Sequence, residues 1–195
     1  MRNKRDTKPK RKINPVYFVF CEGETEEAYS TFLRQKYRLP IQIKTKVAGQ
    51  NISDKFIKNH VKEIRRGITS PLDKNLLMYD LDSTEFKGRL MTIKEGIVLA
   101  SNPNIGLWFL LHYRHQKTHI DSKICIRNLI GLNKPYEKGK LNHDLEIQLC
   151  SQITKAVERA KELNEFENPS STIYKFIEKL KTAKLRKRCK DEKKI

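Results

Sequence analysis

Cysteine is scarce. The four cysteines, Cys21, Cys125, Cys150 and Cys189, lie far apart among 195 residues and form no Cys-x-x-Cys pair. That spacing argues against a disulfide framework or a zinc knuckle and leaves ordinary reduced thiols. No apolar run approaches the roughly 18 residues of a membrane helix. The basic N-terminus is followed only by "VYFVFC", which is strand length and too short for a signal-peptide core. The expected location is therefore the cytoplasm. There is no internal repeat and no GxxxxGK[ST] motif, so the chain is not expected to bind ATP through a P-loop of its own. Acids are the minority, with 23 Asp and Glu against 41 Lys and Arg.

The positive charge is concentrated at the two ends. Residues 1–12 carry seven Lys or Arg and one Asp, a net of +6; residues 179–195 carry nine against Asp191 and Glu192, a net of +7. This leaves +5 of the total +18 for the body. Two basic arms on a mildly basic body point to a polyanionic partner, most simply nucleic acid. Such arms would hold phosphates without reading sequence, so the binding should weaken steeply with salt. Tails that only solubilise are the plainer reading of the same charge.

Between the arms, hydrophobic periodicity alternates between strand and helix. Residues 16–21 read as a buried strand. "GETEEAYSTFLRQKYR" reads as a helix with acids in its first turn. "IQIKTKV" is a second strand, and "SDKFIKNHVKEIRRG" a helix with Ser53 as cap and Gly67 as stop. "NLLMYDLD" is a third strand, "TEFKGRLMTIKEG" a weak helix and "IVLAS" a fourth strand. "NPNIGLWFLLHYRHQ" opens with Pro103 near a first turn and continues as an apolar helix. From residue 121 the pattern is helical: a segment near 123–131, a loop holding Tyr136, Lys138 and Gly139, a helix near 141–164, and a last helix after "NPSST" to about Lys187. The alternation predicts an α/β fold, a mainly parallel sheet flanked by helices with a helical C-terminal extension. The expected organisation is a basic arm over 1–14, an α/β core over 15–120, the extension over 121–183 packed on the core, and a basic tail over 184–195.

Parallel α/β sheets place their sites at the carboxyl ends of strands. Glu22 directly follows the first strand there. Asp80 and Asp82 end the third and, being alternate residues, share a face. Three carboxylates from two strand ends could converge on Mg²⁺, which takes oxygen ligands, and a metal so held can engage a phosphate oxygen. Acids at such positions also occur as solvated side chains or helix caps, and Glu24, Glu26 and Glu27 fit a helix's first turn. His112, His115 and His119 would share a face of a continuous helix, but no carboxylate accompanies them as a zinc site would want. His112 is also a candidate general acid or base. Asn102 either orients a ligand or turns the chain before Pro103. Trp108 and Phe109 read as core, Lys138 as solvated or phosphate-reaching, and Arg65 and Arg66 as cations favouring a helix C-terminus.

Five stretches, "FVFCEGETEEAY", "LLMYDLDS", "ASNPNIGLWFLLHY", "YEK" at 136–138 and "NPSSTIYKFIEKL", occur in the order of the RloB-like family, which the chain resembles from about residue 14 to 183. That family is associated with bacterial abortive-infection and anti-phage loci and looks like an offshoot of the Toprim superfamily. The resemblance implies a Toprim-like core with Glu22 as the signature glutamate and Asp80 and Asp82 as the DxD, together holding Mg²⁺ or Mn²⁺. It implies Glu26 as the further acid of OLD-type nucleases and gives His112 a place in the family motif. It implies a metal-dependent nuclease in anti-phage defence, with an ABC-type ATPase as partner and RNA, including tRNA, favoured over DNA. One departure stands out: family members read Asn-Pro-x-Phe-Glu-x-Trp, and here the glutamate is replaced by Gly106. Two other readings stay open, a non-catalytic module binding nucleic acid or an ATPase, and nucleotidyl transfer of the primase kind. A homodimer is open as well.

Overall fold

The computed structural model describes residues 14–39 and 42–192, with side chains described to residue 185. The expected basic arm lies outside the described residues except for Asn14, as do residues 193–195 of the expected tail.

Five strands form one sheet: β1 (Val16–Cys21), β2 (Gln42–Val47), β3 (Lys74–Asp80), β4 (Ile97–Asn102) and β5 (Ser170–Ser171), in the order β2-β1-β3-β4-β5. All pairings are parallel except that of β5, which runs antiparallel to β4. The helices are α1 (Glu24–Tyr37), α2 (Asp54–Arg65), α3 (Thr84–Met91), α4 (Ile105–Leu110), α5 (Ser122–Leu132), α6 (His143–Ser151), α7 (Ile153–Lys161) and α8 (Tyr174–Glu192). The expected α/β architecture, with a mostly parallel sheet flanked by helices and a C-terminal helix, is the one observed.

All six residues of β1 are buried, as a strand covered on both faces requires. Their alternation divides the interior into two cores. Tyr17, Val19 and Cys21 join Tyr29, Trp108, Leu129 and Phe176 in the larger core, beneath α1, α4, α5 and α8. Val16, Phe18 and Phe20 join Ile57, Phe86 and Leu90 beneath α2 and α3. Ser53 caps α2 by accepting the Phe56 N–H, as its sequence suggests. Arg66 (φ 47) and the expected stop Gly67 (φ 82) both take left-handed backbone directly after α2.

Three features depart from the sequence reading. The apolar helix expected from Pro103 onward ends at Leu110; all six residues of α4 are buried, and turns follow. The helix expected over 141–164 is two helices that meet at Gln152, whose backbone leaves helical geometry. "NPSST" supplies the edge strand β5, and the adjoining Thr172 extends its hold on β4, its N–H donating to the Ala100 carbonyl and its hydroxyl accepting the Ala100 N–H, both at 2.8 Å.

Candidate active site

The carboxyl ends of β1, β3 and β4 lie side by side, and Glu22, Asp80 and Asp82 emerge there. The Glu22 N–H donates to the Met78 carbonyl (3.1 Å), which extends β1 against β3 by one residue. Its side chain then turns across to β3, where Oε2 accepts the Asp80 N–H at 2.8 Å. Asp80 in turn accepts, through Oδ1, the N–H of Ile105 at the start of α4 (2.8 Å). Glu26 folds back over the first turn of α1 and accepts the Gly23 N–H at 3.0 Å. Leu81 is buried in the smaller core, and Asp82 beyond it is exposed. Glu22 and Asp80 thus each commit one oxygen to a backbone N–H. Their second oxygens accept no hydrogen bond among the described residues.

The electrostatics follow from that placement. Burial pushes the Asp80 carboxyl well above the usual carboxylate range, and the Glu26, Glu22 and Asp82 charges push it further against the Ile105 N–H. Glu22 is raised by burial and by Asp82, opposed by the Asp80 N–H and by Lys138. Glu26, only 4% exposed, is raised by burial and by Glu22, opposed by backbone N–H groups and again by Lys138. No salt bridge reaches any of these acids among the described residues.

Lys138 comes from the loop after α5. That loop is fastened to α1 by the Gly139 N–H, which donates to Thr25 Oγ1 at 2.9 Å. Glycine is required there: φ is +84, and a Cβ would stand 3.0 Å from Glu24 Oε2. The same loop buries Tyr136 against Phe109 (ring centroids 6.3 Å apart). Burial and the Glu26 and Asp80 charges push the Tyr136 phenol up to about 12, so it stays protonated beside the acids. Sequence reasoning named Tyr136 only as a loop residue. Its place in "YEK" at 136–138, one of the family stretches, is the available signal.

Other candidates lie elsewhere. His112 is 1% exposed and lies two residues past the end of α4. Its Nδ1 meets the Trp108 carbonyl at 2.8 Å, and burial lowers its pKa to about 3. Lys36 and Arg159 are the charges that act on it, and the four acids are not among them. All three histidines follow the end of α4 at Leu110, so they share no helix face; His115 lies 3.9 Å from Glu162, and His119 borders a cleft beside Asp82. Asn102 donates to the Phe166 carbonyl (3.3 Å). Arg65 is paired with Asp73 at the opposite end of the sheet. Trp108 and Phe109 are fully buried, as expected of core. At Gly106 a Cβ would lie 2.7 Å from Asn104 Oδ1 and 2.8 Å from Ile126 Cδ1. As α4 and α5 pack here, the position has no room for a side chain.

Among the described residues, no three His, Cys, Asp or Glu side chains are arranged to hold a metal ion as they stand. In kind, the donor set suits a hard divalent cation: all donors are carboxylate oxygens, Glu22, Asp80 and Asp82 each have at least one uncommitted oxygen, and their charge lacks a paired cation among the described residues. A family model described as RloB-like protein matches residues 17–180. The chain belongs to the RloB-like family. No curated protein and no solved structure matches it.

Proposed function

We propose that this RloB-like protein is a metal-dependent nuclease that hydrolyses phosphodiester bonds through a Toprim-like centre, with Glu22, Asp80 and Asp82 as ligands of Mg²⁺ or Mn²⁺. The observation that carries the reading is the half-buried Glu22–Asp80 pair at adjacent strand ends, linked through the Asp80 N–H and balanced by no salt bridge among the described residues. Strand-end acids kept for stability are ordinarily exposed or paired. When bound, a divalent ion would supply positive charge to a phosphate oxygen and acidify a water. The Asp80 N–H and Ile105 N–H fix the two carboxylates in place, which is the chain's own contribution to pre-organisation. Glu26, tethered to Gly23, is placed to orient the attacking water and take its proton. Lys138 faces the developing phosphate charge, and the protonated Tyr136 is available as a donor to the same group. His112, deep in the core, enters no step.

The family's association with anti-phage and abortive-infection loci extends the proposal to an effector of bacterial defence. It would act in the cytoplasm on RNA in preference to DNA, under the control of an ATPase partner. A second reading, a non-catalytic basic module, is favoured by Gly106, which stands where the family motif is expected to carry a glutamate. Incubating the purified protein and Asp80→Asn with Mg²⁺ or Mn²⁺ and with total tRNA, single-stranded RNA or plasmid DNA separates the two. Metal-dependent cutting by the unaltered protein alone is expected. Equal, salt-sensitive binding by both with no cutting, repeated in the presence of the ATPase, would favour the module.

A further inference from the structure

A parallel sheet is ordinarily covered on both faces. The edge strand β2 is covered on one. Ile43 packs into the larger core and Thr45 donates to Glu27 of α1 at 2.9 Å, whereas Gln42, Lys44 and Lys46 are exposed. Lys44 and Lys46 are the register partners of Phe18 and Phe20, so they stand on the side of the sheet that carries α2. α2 lies over Phe18 and Phe20 and leaves the two lysines uncovered. An open lane results between the helix and the sheet edge, about 20 Å long at roughly 3.3 Å per residue. Phe56 and His60 form its helix wall, half-buried and stacked on one another with ring centroids 6.4 Å apart. Burial lowers the His60 pKa, and the Lys46 charge lowers it further against Glu63, so floor and wall are close neighbours.

The charge around the lane is one-sided. Lys44 and Lys46 line the floor, and Lys55 and Lys62, two turns apart, share the outer side of α2. None of the four has a carboxylate partner among the described residues. Glu63 is the only fully exposed acid of α2. At its carboxyl end the lane opens beside the acids: the Ala48 N–H donates to the Cys21 carbonyl (2.9 Å), and the turn at Gly49 adjoins the Glu22 carbonyl. At its amino end Arg65 of α2 donates to the Asn14 carbonyl (3.4 Å), where the net +6 of residues 1–12 joins the body. Lysines that guard a sheet edge against pairing would account for Lys44 and Lys46. They would not account for the cations of α2 or for the aromatic wall between the two rows. A cationic track beside half-exposed rings is the make-up of a groove that follows a nucleic-acid strand.

We infer that the lane between β2 and α2 holds the phosphate backbone of the nucleic-acid substrate away from the cut, leading the strand from the acids toward the basic arm. Its purpose rests on the nuclease reading, but the lane is tested without cleavage. Fluorescence anisotropy in EDTA would follow a labelled single-stranded RNA of about 30 nucleotides across a salt series. One variant combines Lys44→Gln, Lys46→Gln, Lys55→Gln and Lys62→Gln. A second combines Arg127→Gln, Lys134→Gln, Lys155→Gln and Lys184→Gln, which removes the same charge from exposed positions outside the lane. The lane variant should bind at least about tenfold more weakly near 0.1 M salt, and its slope of log K against log salt should flatten by about 2–3, at roughly 0.7 per lost single-strand contact. The second variant should stay within about twofold of the unaltered protein. All eight positions are exposed, so both variants should keep the thermal melt. Equal losses in the two variants, or none in the lane variant, would overturn the inference. A lane variant that loses RNA in EDTA, from a protein that never cuts with metal, keeps the lane and removes the nuclease reading. Cutting by the unaltered protein, with both variants binding alike, does the reverse.

Discussion

Asp73 and Asp80 stand at opposite ends of the same strand, and the chain treats them in opposite ways. At the amino end, Asp73 accepts two hydrogen bonds from the Arg65 guanidinium and one each from the N–H groups of Ser70 (3.0 Å) and Val16 (2.8 Å). Burial alone would raise its pKa, but these donors outweigh burial and the pKa is lowered. At the carboxyl end, Asp80 has one N–H donor and three acids for neighbours, and its pKa is raised. The first is an acid completed by the fold. The second is held ready and left incomplete, which is what a site for a missing cation requires. Acids that stabilise a fold and acids that serve a site are thus told apart by their partners, since both kinds are substantially buried.

The largest effect expected on the comparison comes from its amino end. Asp73→Ala leaves Arg65, whose side chain is only 10% exposed, without its partner. It should cost on the order of 3 kcal/mol in a urea titration. Next comes Asp80→Asn, which keeps an acceptor for the Ile105 N–H and removes a charge the fold does not balance. Cleavage should fall by at least about 100-fold, while urea stability without metal stays the same or rises. If Asp80→Asn were as destabilising as Asp73→Ala, the carboxyl-end acids would be structural and the contrast would fail.

How much of this is legible in the sequence differs between the same two ends. The acids of the carboxyl end are readable because a buried parallel strand announces where it stops: the continuous apolar runs of residues 16–21 and of "NLLMYDLD" place Glu22, Asp80 and Asp82. The amino end is not readable, because Arg65 and Asp73 meet only through tertiary contact; from sequence Arg65 looks like a cation at a helix terminus. The early end of α4 was hidden because a helix buried on every side has no amphipathic period to lose. The break at Gln152 spans one residue and leaves the apolar spacing nearly intact. β5 has two residues, too few for any alternation. Tyr136 reached the site through a loop fastened by Gly139, and loop placement carries no periodic signal.

Gly106 offers a smaller test, on the α4 wall beside Asp80. In the helix alone, alanine would be favoured over glycine by about 1 kcal/mol. In the fold, its Cβ would press on Asn104 Oδ1, which caps α4 by accepting the Gly106 N–H at 2.9 Å, and on Ile126 Cδ1. The isoleucine terminus can rotate, whereas the cap oxygen is fixed by its bond. Packing should therefore win, and Gly106→Ala should destabilise by about 1–2 kcal/mol, read from urea midpoints. A stabilised variant would mean that α5 yields easily and that the wall can admit a side chain.

The smallest expected effect is the dependence of the two ends on pH, and it has opposite signs. Asp73 is lowered from its ordinary 3.8, so the folded protein binds its proton less tightly than the unfolded chain does. Its contribution is complete above pH 3.8 and is lost as the pH falls through the lowered folded value. The gap in stability between the unaltered protein and Asp73→Asn should therefore close on acidification below about pH 4. Asp80 and Glu22 are raised from 3.8 and 4.5, so the folded protein holds their protons more tightly. Their contribution is best below those values and turns into a cost as the pH rises through the raised ones. Without metal, Asp80→Asn should gain on the unaltered protein as the pH rises from about 4 to 8. Mg²⁺ should narrow that gain, because it binds the ionised acids that the substitution has depleted. Thermal melts across this range, with and without Mg²⁺, measure both limbs in one experiment. Limbs of the same sign would mean that the acids at the carboxyl end are as well paired as Asp73, and no cation would then be needed to complete them.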